Sequence, residues 1–137
     1  MALSRSHGGG ADDLVRRYLP GQTALPAGGA GYKALLVAAG KAGAYLHVTK
    51  SKLWDVCAPE AFMDALGGKL TDAAGGDIVY DVRDPVLRRG FVGAASTQKH
   101  AWLVERLRSH PVNLQGEAGE VPAESSFIHD RGIAHAG

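Results

Sequence analysis

The segment KLWDVCAPE at residues 52–60, followed by LGGKLTD at residues 66–72, is the most informative stretch of this 137-residue chain. The carboxylate of Asp55 lies between a large aromatic side chain, Trp54, and the first turn of a predicted short helix. The exposed backbone N–H groups at the start of a helix favour an anion or a metal–phosphate assembly. The pattern therefore indicates a phosphate-handling site at the beginning of this helix.

The helix after Asp55 is predicted to place Pro59 in its first turn, where proline is tolerated, and to end at Gly67 and Gly68. We expect the thiol of Cys57 to pack beneath the Asp55 turn as a small hydrophobic group. Apolar spacing predicts that the helix buries one face, made of Ala58, Ala61, Phe62 and Leu66.

Outward from this segment, helices and strands alternate along the sequence. We predict helices over 11–19 and 32–39, strands over 44–49, 69–71, 78–80 and 91–94, and a last helix that is capped by Ser96 or Thr97 and turns Trp102, Leu103 and Leu107 inward. The alternation predicts an α/β fold over residues 1–110, a layered mixed sheet flanked by helices. Residues 111–137 are rich in Gly, Glu, Pro, Ala and Ser, which predicts a disordered tail.

The composition excludes several classes of partner. The 15 basic and 14 acidic residues give a net charge of +1, so no global field attracts a nucleic acid polymer or a membrane surface. No apolar run approaches the roughly 20 residues that span a bilayer. A single cysteine excludes an internal disulfide and fits the cytosol or a secretory lumen equally well.

A second candidate site is the glycine-rich run at residues 28–31, followed by Lys33. Glycines let the backbone approach a ligand closely, and the lysine supplies a cation one turn into the next helix. The run also matches the dinucleotide fingerprint G-x-G-x-x-A, but Pro26 interrupts the strand that should precede it, so we discount a Rossmann site. The alternative is a flexible turn before a helix.

The other candidate ligands are Asp55, Ser4 and His7. Asp55 offers the hard oxygen donor that magnesium prefers, although an Asp at this place is often a helix N-cap. Ser4 and His7 are three residues apart and can meet one ligand from a turn, or belong to a solvated terminus. His47 lies on a predicted strand, and we interpret it as a structural residue, because the histidines show no metal-ligand spacing.

These motifs together resemble the lithium-sensitive, magnesium-dependent inositol monophosphatase superfamily. KLWDVCAPE with LGGKLTD resembles the family's second signature, in which the Asp after the Trp ligates a catalytic metal. SRSH at 4–7 and PAGGAGYK at 26–33 are similar to the nucleotide-binding parts of 3′-phosphoadenosine 5′-phosphate phosphatases, and the Golgi-resident branch is the nearest. The resemblance extends through residue 80.

The resemblance implies the C-terminal half of a magnesium-dependent 3′(2′),5′-bisphosphate nucleotidase, which hydrolyses the 3′-phosphate of 3′-phosphoadenosine 5′-phosphate to give AMP and phosphate. It implies that Asp55 holds Mg²⁺ and that Ser4, His7, Gly29 and Lys33 bind the nucleotide. It assigns no catalytic group to this half. The family's Asp-Pro-Ile-Asp-Gly-Thr motif is absent from the sequence, so we expect this chain alone to be inactive.

The resemblance also implies a missing N-terminal half that supplies the other metal ligands, a possible homodimer in the intact enzyme, and a Golgi lumen or cytoplasmic location. Any membrane anchor would precede Met1. Two alternatives stay open: an inositol monophosphatase that acts on a sugar-alcohol phosphate, and a truncated, non-catalytic isoform that binds nucleotide.

Overall fold

A computed structural model describes residues 1–4 and 11–109 of the chain, and for Ser4 and Ala11 it describes the backbone alone. The strands are β1 (Ala2–Ser4), β2 (Leu25–Ala27), β3 (Ala44–His47), β4 (Ser51–Lys52), β5 (Lys69–Asp72), β6 (Val86–Leu87) and β7 (Phe91–Ala94). The helices are α1 (Ala11–Tyr18), α2 (Ala30–Ala38), α3 (Leu53–Ala65) and α4 (Thr97–Arg108). His7 and the predicted tail at 111–137 lie outside the described residues, so those two predictions stay predictions.

The main sheet has five strands in the order β2-β1-β3-β7-β5. Strand β1 runs parallel to both β2 and β3, whereas β7 is antiparallel to β3 and to β5. Strands β4 and β6 form a separate two-stranded ribbon. The predicted mixed sheet is therefore confirmed.

Successive residues of a strand point to opposite faces of the sheet, and here both faces carry apolar side chains. Helices cover both faces. On one face α1 and α4 pack against Leu3, Ala44, Leu46, Val92 and Ala94. On the other face α2 and α3 pack against Ala2, Tyr45, Leu70 and Phe91. The predicted layering of helix, sheet and helix is confirmed, and the two helix pairs form two separate apolar cores.

Helix α4 follows its local sequence signals closely. The Ser96 hydroxyl accepts a hydrogen bond from the Lys99 N–H at 3.2 Å and caps the helix, as one of the two predicted candidates. Leu103 and Leu107 are buried and Trp102 is partly buried, so the predicted inward face is confirmed for the first two and in part for the third.

Helix α3 differs from its prediction in three ways. It begins at Leu53, before Asp55, so Pro59 lies in its second turn and is buried. The predicted buried face is wrong, because its four residues are exposed: Ala58, Ala61, Phe62 and Leu66. The buried residues are Leu53, Val56, Pro59 and Met63. The prediction that the Cys57 thiol packs beneath the Asp55 turn is also wrong, because Cys57 is exposed. The helix carries apolar side chains on all sides, so apolar spacing alone cannot select the face that meets the sheet.

The predicted strand over 78–80 is also wrong, since these residues form no strand. The Asp72 carboxylate accepts hydrogen bonds from the N–H groups of Ala74 and Gly76 and turns the chain sharply after β5. Beyond the turn, the Tyr80 hydroxyl donates to the Glu60 carboxylate on α3, so side-chain anchoring takes the place of strand pairing. Within residues 1–4 and 11–109, no helix has the length and apolar character needed to traverse a bilayer.

Candidate functional site

Asp55 occupies the third position of α3, one turn in from its N-cap residue Lys52. Its Oδ2 accepts hydrogen bonds from the Ser51 hydroxyl at 3.1 Å and from the Lys52 backbone N–H at 3.3 Å. The carboxylate at position N3 thus caps the start of the helix by accepting the N–H group of the N-cap residue. The alternative that Asp55 is itself the N-cap residue is wrong, because Lys52 occupies that position. Oδ1 of Asp55 takes part in neither bond, which leaves a hard oxygen donor for a cation.

Asp55 lines an open groove with a volume of about 560 Å³. The loop after β3, the β4–β6 ribbon and the start of α3 form its walls, with the lining residues His47, Thr49, Lys50, Ser51, Lys52, Val86 and Arg88. Three of the lining side chains are cationic, those of Lys50, Lys52 and Arg88, and one, that of Asp55, is anionic. Arg88 forms an ion pair with Asp84 at 2.8 Å, which partly neutralises its positive charge. The groove is suited to an anionic ligand held beside one carboxylate.

His47 lines the groove as well as making contacts of the kind expected for a structural residue. Its Nε2 lies 3.1 Å from the Thr49 hydroxyl and 3.4 Å from the Lys50 carbonyl oxygen. Its ring stacks on Phe91, with centroids 5.2 Å apart and planes 20° apart. The sequence signal for its place in the groove was its position as the last residue of β3, because that strand leads directly into the Asp55 segment.

Lys33 is buried in the first turns of α2, with 3% of its surface exposed. Its Nζ donates to the Ala27 carbonyl oxygen at 3.4 Å and lies 5.2 Å from the centre of the Tyr45 ring. Burial lowers the pKa of Lys33, and the negative charge of Asp55 partly offsets that effect. Burial is the main cause that raises the pKa of Tyr45, and the negative charge of Asp55 raises that pKa further. Lys33, Tyr45 and Asp55 therefore share one electrostatic region.

Gly29 is the N-cap residue of α2 and has φ of +75°. This left-handed conformation is strained for residues with a Cβ atom, which accounts for glycine at this position. The residue is exposed, so the N–H groups of the first turn of α2 are accessible to a ligand.

Ser4 is the last residue of β1, where its backbone pairs with Ala27 of β2. Strands β1, β2 and β3 are parallel, so their carboxyl ends lie at one edge of the sheet. Ser4 and His47 are the last residues of β1 and β3, and the glycine-rich run at 28–31 follows β2. Ligands of open α/β sheets bind at this kind of edge. The structure thus brings the Ser4 backbone, Gly29, Lys33 and Asp55 to one side, while the Ser4 side chain and His7 are outside its description.

The metal chemistry of the site rests on Asp55. Among residues 1–4 and 11–109, no cluster of three or more His, Cys, Asp or Glu side chains could hold a metal ion. One carboxylate oxygen fits magnesium as a partial ligand set, because this ion usually keeps several waters and uses one or two carboxylates together with substrate phosphate.

The profile of the inositol monophosphatase family matches residues 3–111. This chain belongs to that family. A relative from Homo sapiens named Golgi-resident adenosine 3′,5′-bisphosphate 3′-phosphatase is 38% identical over 114 residues, which are 78% of this chain and 31% of the relative. The 3′(2′),5′-bisphosphate nucleotidase 1 of Dictyostelium discoideum is 56% identical over 62 residues, which are 44% of this chain and 20% of that protein. The chain spans about a third or less of the length of these relatives.

Solved structures agree on the fold. CysQ from Bacteroides thetaiotaomicron, a bacterial member of the family, matches with a TM-score of 0.57 at 24% identity, over 68% of this chain and 35% of that chain. An IMPase/NADP phosphatase in complex with Mg²⁺ and phosphate matches with a TM-score of 0.56 at 22% identity, over 80% of this chain and 40% of that chain. The described part of this chain therefore has the fold of about two fifths of an inositol monophosphatase.

Proposed function

We propose that this chain is part of a magnesium-dependent phosphatase that hydrolyses the 3′-phosphate of 3′-phosphoadenosine 5′-phosphate to AMP and phosphate. The observation that carries the proposal is the placement of the Asp55 carboxylate in a cation-lined groove at the carboxyl edge of the parallel strands. Family membership and the names of the human and Dictyostelium relatives support the choice of reaction and substrate.

Asp55 would hold the metal through its carboxylate, and its hydrogen bonds to Ser51 and Lys52 would keep that carboxylate in a fixed orientation. Bound magnesium would lower the pKa of a water molecule and neutralise charge on phosphate oxygens. Lys50 and Lys52 would attract the phosphate groups of the substrate into the groove. These residues bind and orient, and the group that activates the water belongs to another segment.

The nucleotide would lie along the edge that begins at Ser4 and includes Gly29 and Lys33, with His7 as a further contact. Lys33 has a specific role in this arrangement, because its ammonium group bonds the Ala27 carbonyl just before the glycine-rich run. It fixes the turn that presents the N–H groups of α2, and it adds a positive charge beneath the site. Lys33 thus acts mainly through the Gly29 turn.

The remaining metal ligands would come from a segment that corresponds to the unmatched part of the relatives, so this chain alone would be inactive. The intact enzyme would be a homodimer, and the name of the human relative supports a location in the Golgi. A non-catalytic isoform that binds nucleotide is a second candidate, favoured by the single carboxylate in the groove.

Inositol monophosphate is the other candidate substrate, because the Inositol monophosphatase 3 of Xenopus tropicalis is 38% identical over 112 residues. A chimaera tests the choice: the N-terminal part of the human relative is joined to this chain, and phosphate release with Mg²⁺ is measured for both substrates. We expect kcat/KM to favour 3′-phosphoadenosine 5′-phosphate. Preference for inositol monophosphate would overturn the nucleotidase assignment, and nucleotide binding without turnover would favour the non-catalytic isoform.

A further inference from the structure

The two-stranded ribbon of β4 and β6 carries the groups that orient the Asp55 carboxylate. Across the ribbon, Ser51 pairs with Leu87, and its neighbour Lys52 pairs with Val86. Ser51 and Lys52 are also the donors to Oδ2 of Asp55, through a hydroxyl at 3.1 Å and a backbone N–H at 3.3 Å. The orientation of the proposed metal ligand therefore depends on the position of this ribbon.

The ribbon needs support from outside itself. Each of its strands is two residues long, and within the described part of the chain it joins no other sheet. A pair of strands is marginally stable on its own. One support is local, because the Leu53 N–H at the start of α3 donates to the Pro85 carbonyl oxygen at 2.9 Å, just before β6. The ion pair of Asp84 with Arg88 is exposed on both sides, so it adds little.

A second support comes from the segment that carries β6, residues 77–88, which we name the strap. The Tyr80 hydroxyl donates a hydrogen bond to the Glu60 carboxylate, further along α3. Burial and, next, this bond raise the pKa of Tyr80, so the hydroxyl keeps the proton that it donates. Ile78 and Leu87 pack as partly buried side chains against the core beneath α2 and α3. The strap is thus held to the helix by a hydrogen bond to a charged group as well as by apolar contact.

We propose that Tyr80 and Glu60 are positioning residues for Asp55. Their bond holds the strap against α3, and the strap holds β6 against β4. Strand β4 then orients the carboxylate through the Ser51 hydroxyl and the Lys52 N–H. The value of this orientation for metal binding rests on the proposed function, whereas the coupling between the two places rests on the hydrogen bonds alone.

Hydrogen exchange in the 137-residue chain tests the coupling without metal or turnover. The Lys52 N–H reports on its bond to Asp55, and the Leu53 N–H reports on its bond to Pro85. Tyr80→Phe keeps the ring and removes the hydroxyl. We expect exchange of both N–H groups, followed by NMR, to become about threefold to tenfold faster, because the strap opens more often.

Three further variants make the comparison specific. Val82→Ala is the matched control, because Val82 lies on the same strap and is 93% exposed, and it should leave both exchange rates unchanged. Glu60→Ala removes the acceptor and should match Tyr80→Phe, and the double variant should be no worse than either single variant. Glu60→Gln retains an oxygen acceptor and should stay close to the wild type.

The magnesium dependence of the chimaera tests the link to the proposed function. Groups that orient a metal ligand directly are worth about 10- to 100-fold in metal affinity or activity. Tyr80 acts one contact further out, so Tyr80→Phe should raise the half-saturating Mg²⁺ concentration for phosphate release by about threefold to tenfold. The kcat at saturating Mg²⁺ should stay nearly unchanged. A general loss of folded enzyme would instead lower kcat without moving the half-saturating concentration.

Three results would overturn the inference: exchange at Lys52 and Leu53 that is equal in Tyr80→Phe and the wild type, faster exchange that Val82→Ala reproduces, or an active chimaera in which Tyr80→Phe leaves the Mg²⁺ dependence unchanged. A chimaera that releases no phosphate would contradict the proposed function, and the exchange rates would still decide whether the strap holds Asp55 in place. The two failures are therefore distinguishable.

Discussion

The two helix layers of this domain have opposite outer surfaces. Helix α1 exposes the charged side chains Asp12, Asp13, Arg16 and Arg17, and α4 exposes Glu105, Arg106 and Arg108. The outer side of α2 and α3 exposes large apolar side chains, which include Tyr32, Leu35, Trp54, Phe62 and Leu66. This layer also holds the buried Lys33 and the Asp55 carboxylate. The α1–α4 layer therefore presents a charged surface that suits contact with solvent, whereas the α2–α3 layer holds the proposed site residues and exposes an apolar surface.

The largest expected effect tests the functional half of this comparison. Asp55→Asn in the chimaera should lower phosphate release by about two orders of magnitude or more, because the amide retains the capping acceptor but loses the charge that binds the cation. Activity against Mg²⁺ concentration is the measurement. The control is Asp13→Asn, an exposed acid in the first turn of α1, which should be silent. Equal activity of both variants would reduce Asp55 to a capping residue.

The next effect concerns stability. Leu103→Ala, at a fully buried position of α4, should lower the free energy of unfolding of the isolated chain by about 2–5 kcal/mol. Phe62→Ala should lower it by less than about 1 kcal/mol, because this ring is exposed in the chain alone. Urea unfolding of both variants gives the comparison. A Phe62→Ala cost as large as that of Leu103→Ala would show that the outer side of α3 is already packed.

Lys33 tests substrate choice. Lys33→Met keeps an unbranched stem against Tyr45, but it removes the bond to the Ala27 carbonyl before the Gly29 turn and the positive charge beneath the proposed nucleotide site. We expect a roughly tenfold to hundredfold loss of kcat/KM for 3′-phosphoadenosine 5′-phosphate and a much smaller loss for inositol monophosphate. The exposed Lys41 supplies the control variant, Lys41→Met. Equal losses for both substrates would assign Lys33 to the shared phosphate or to the fold.

The smallest expected effect is a pH dependence of stability that arises from His100, in the α1–α4 layer. His100 is buried on α4 with its Nε2 2.9 Å from the Thr71 hydroxyl, and burial, with the nearby Lys69 charge second, lowers its pKa. As the pH falls, the imidazole of His100 therefore binds a proton in the unfolded chain before it does so in the folded chain. The contribution of neutral His100 to the free energy of unfolding is fully present above about pH 6.5 and is lost as the pH drops through the lowered pKa. Tm measured from pH 7.5 to 5.5 should fall more steeply for the wild type than for His100→Gln. Parallel curves would contradict this assignment.

The sequence predicted the elements whose signals are local. Ser96 caps α4 because a hydroxyl at that position satisfies an N–H group three residues on, and the residues that form β3 and β7 carry the content of buried strands. Gly29 marks the start of α2 because its backbone conformation requires glycine.

The rest depends on contacts that local patterns do not encode. The buried side of α3 was mispredicted because Phe62 and Met63 are equally apolar, and the fold selects Met63. Residues 78–80 have strand composition, but the bond of Tyr80 to Glu60 takes them away from the sheet. The stacking of His47 on Phe91 depends on the pairing of β3 with β7, which brings residues 44 apart in sequence together.

The most direct test of the central claim is the rate of phosphate release from 3′-phosphoadenosine 5′-phosphate by the purified 137-residue chain with Mg²⁺, alone and with the co-expressed N-terminal part of the human relative. The account predicts little or no turnover by the chain alone and Mg²⁺-dependent turnover by the complex, abolished by Asp55→Asn. Robust turnover by the chain alone, or turnover by the complex that is indifferent to Asp55→Asn, would contradict it.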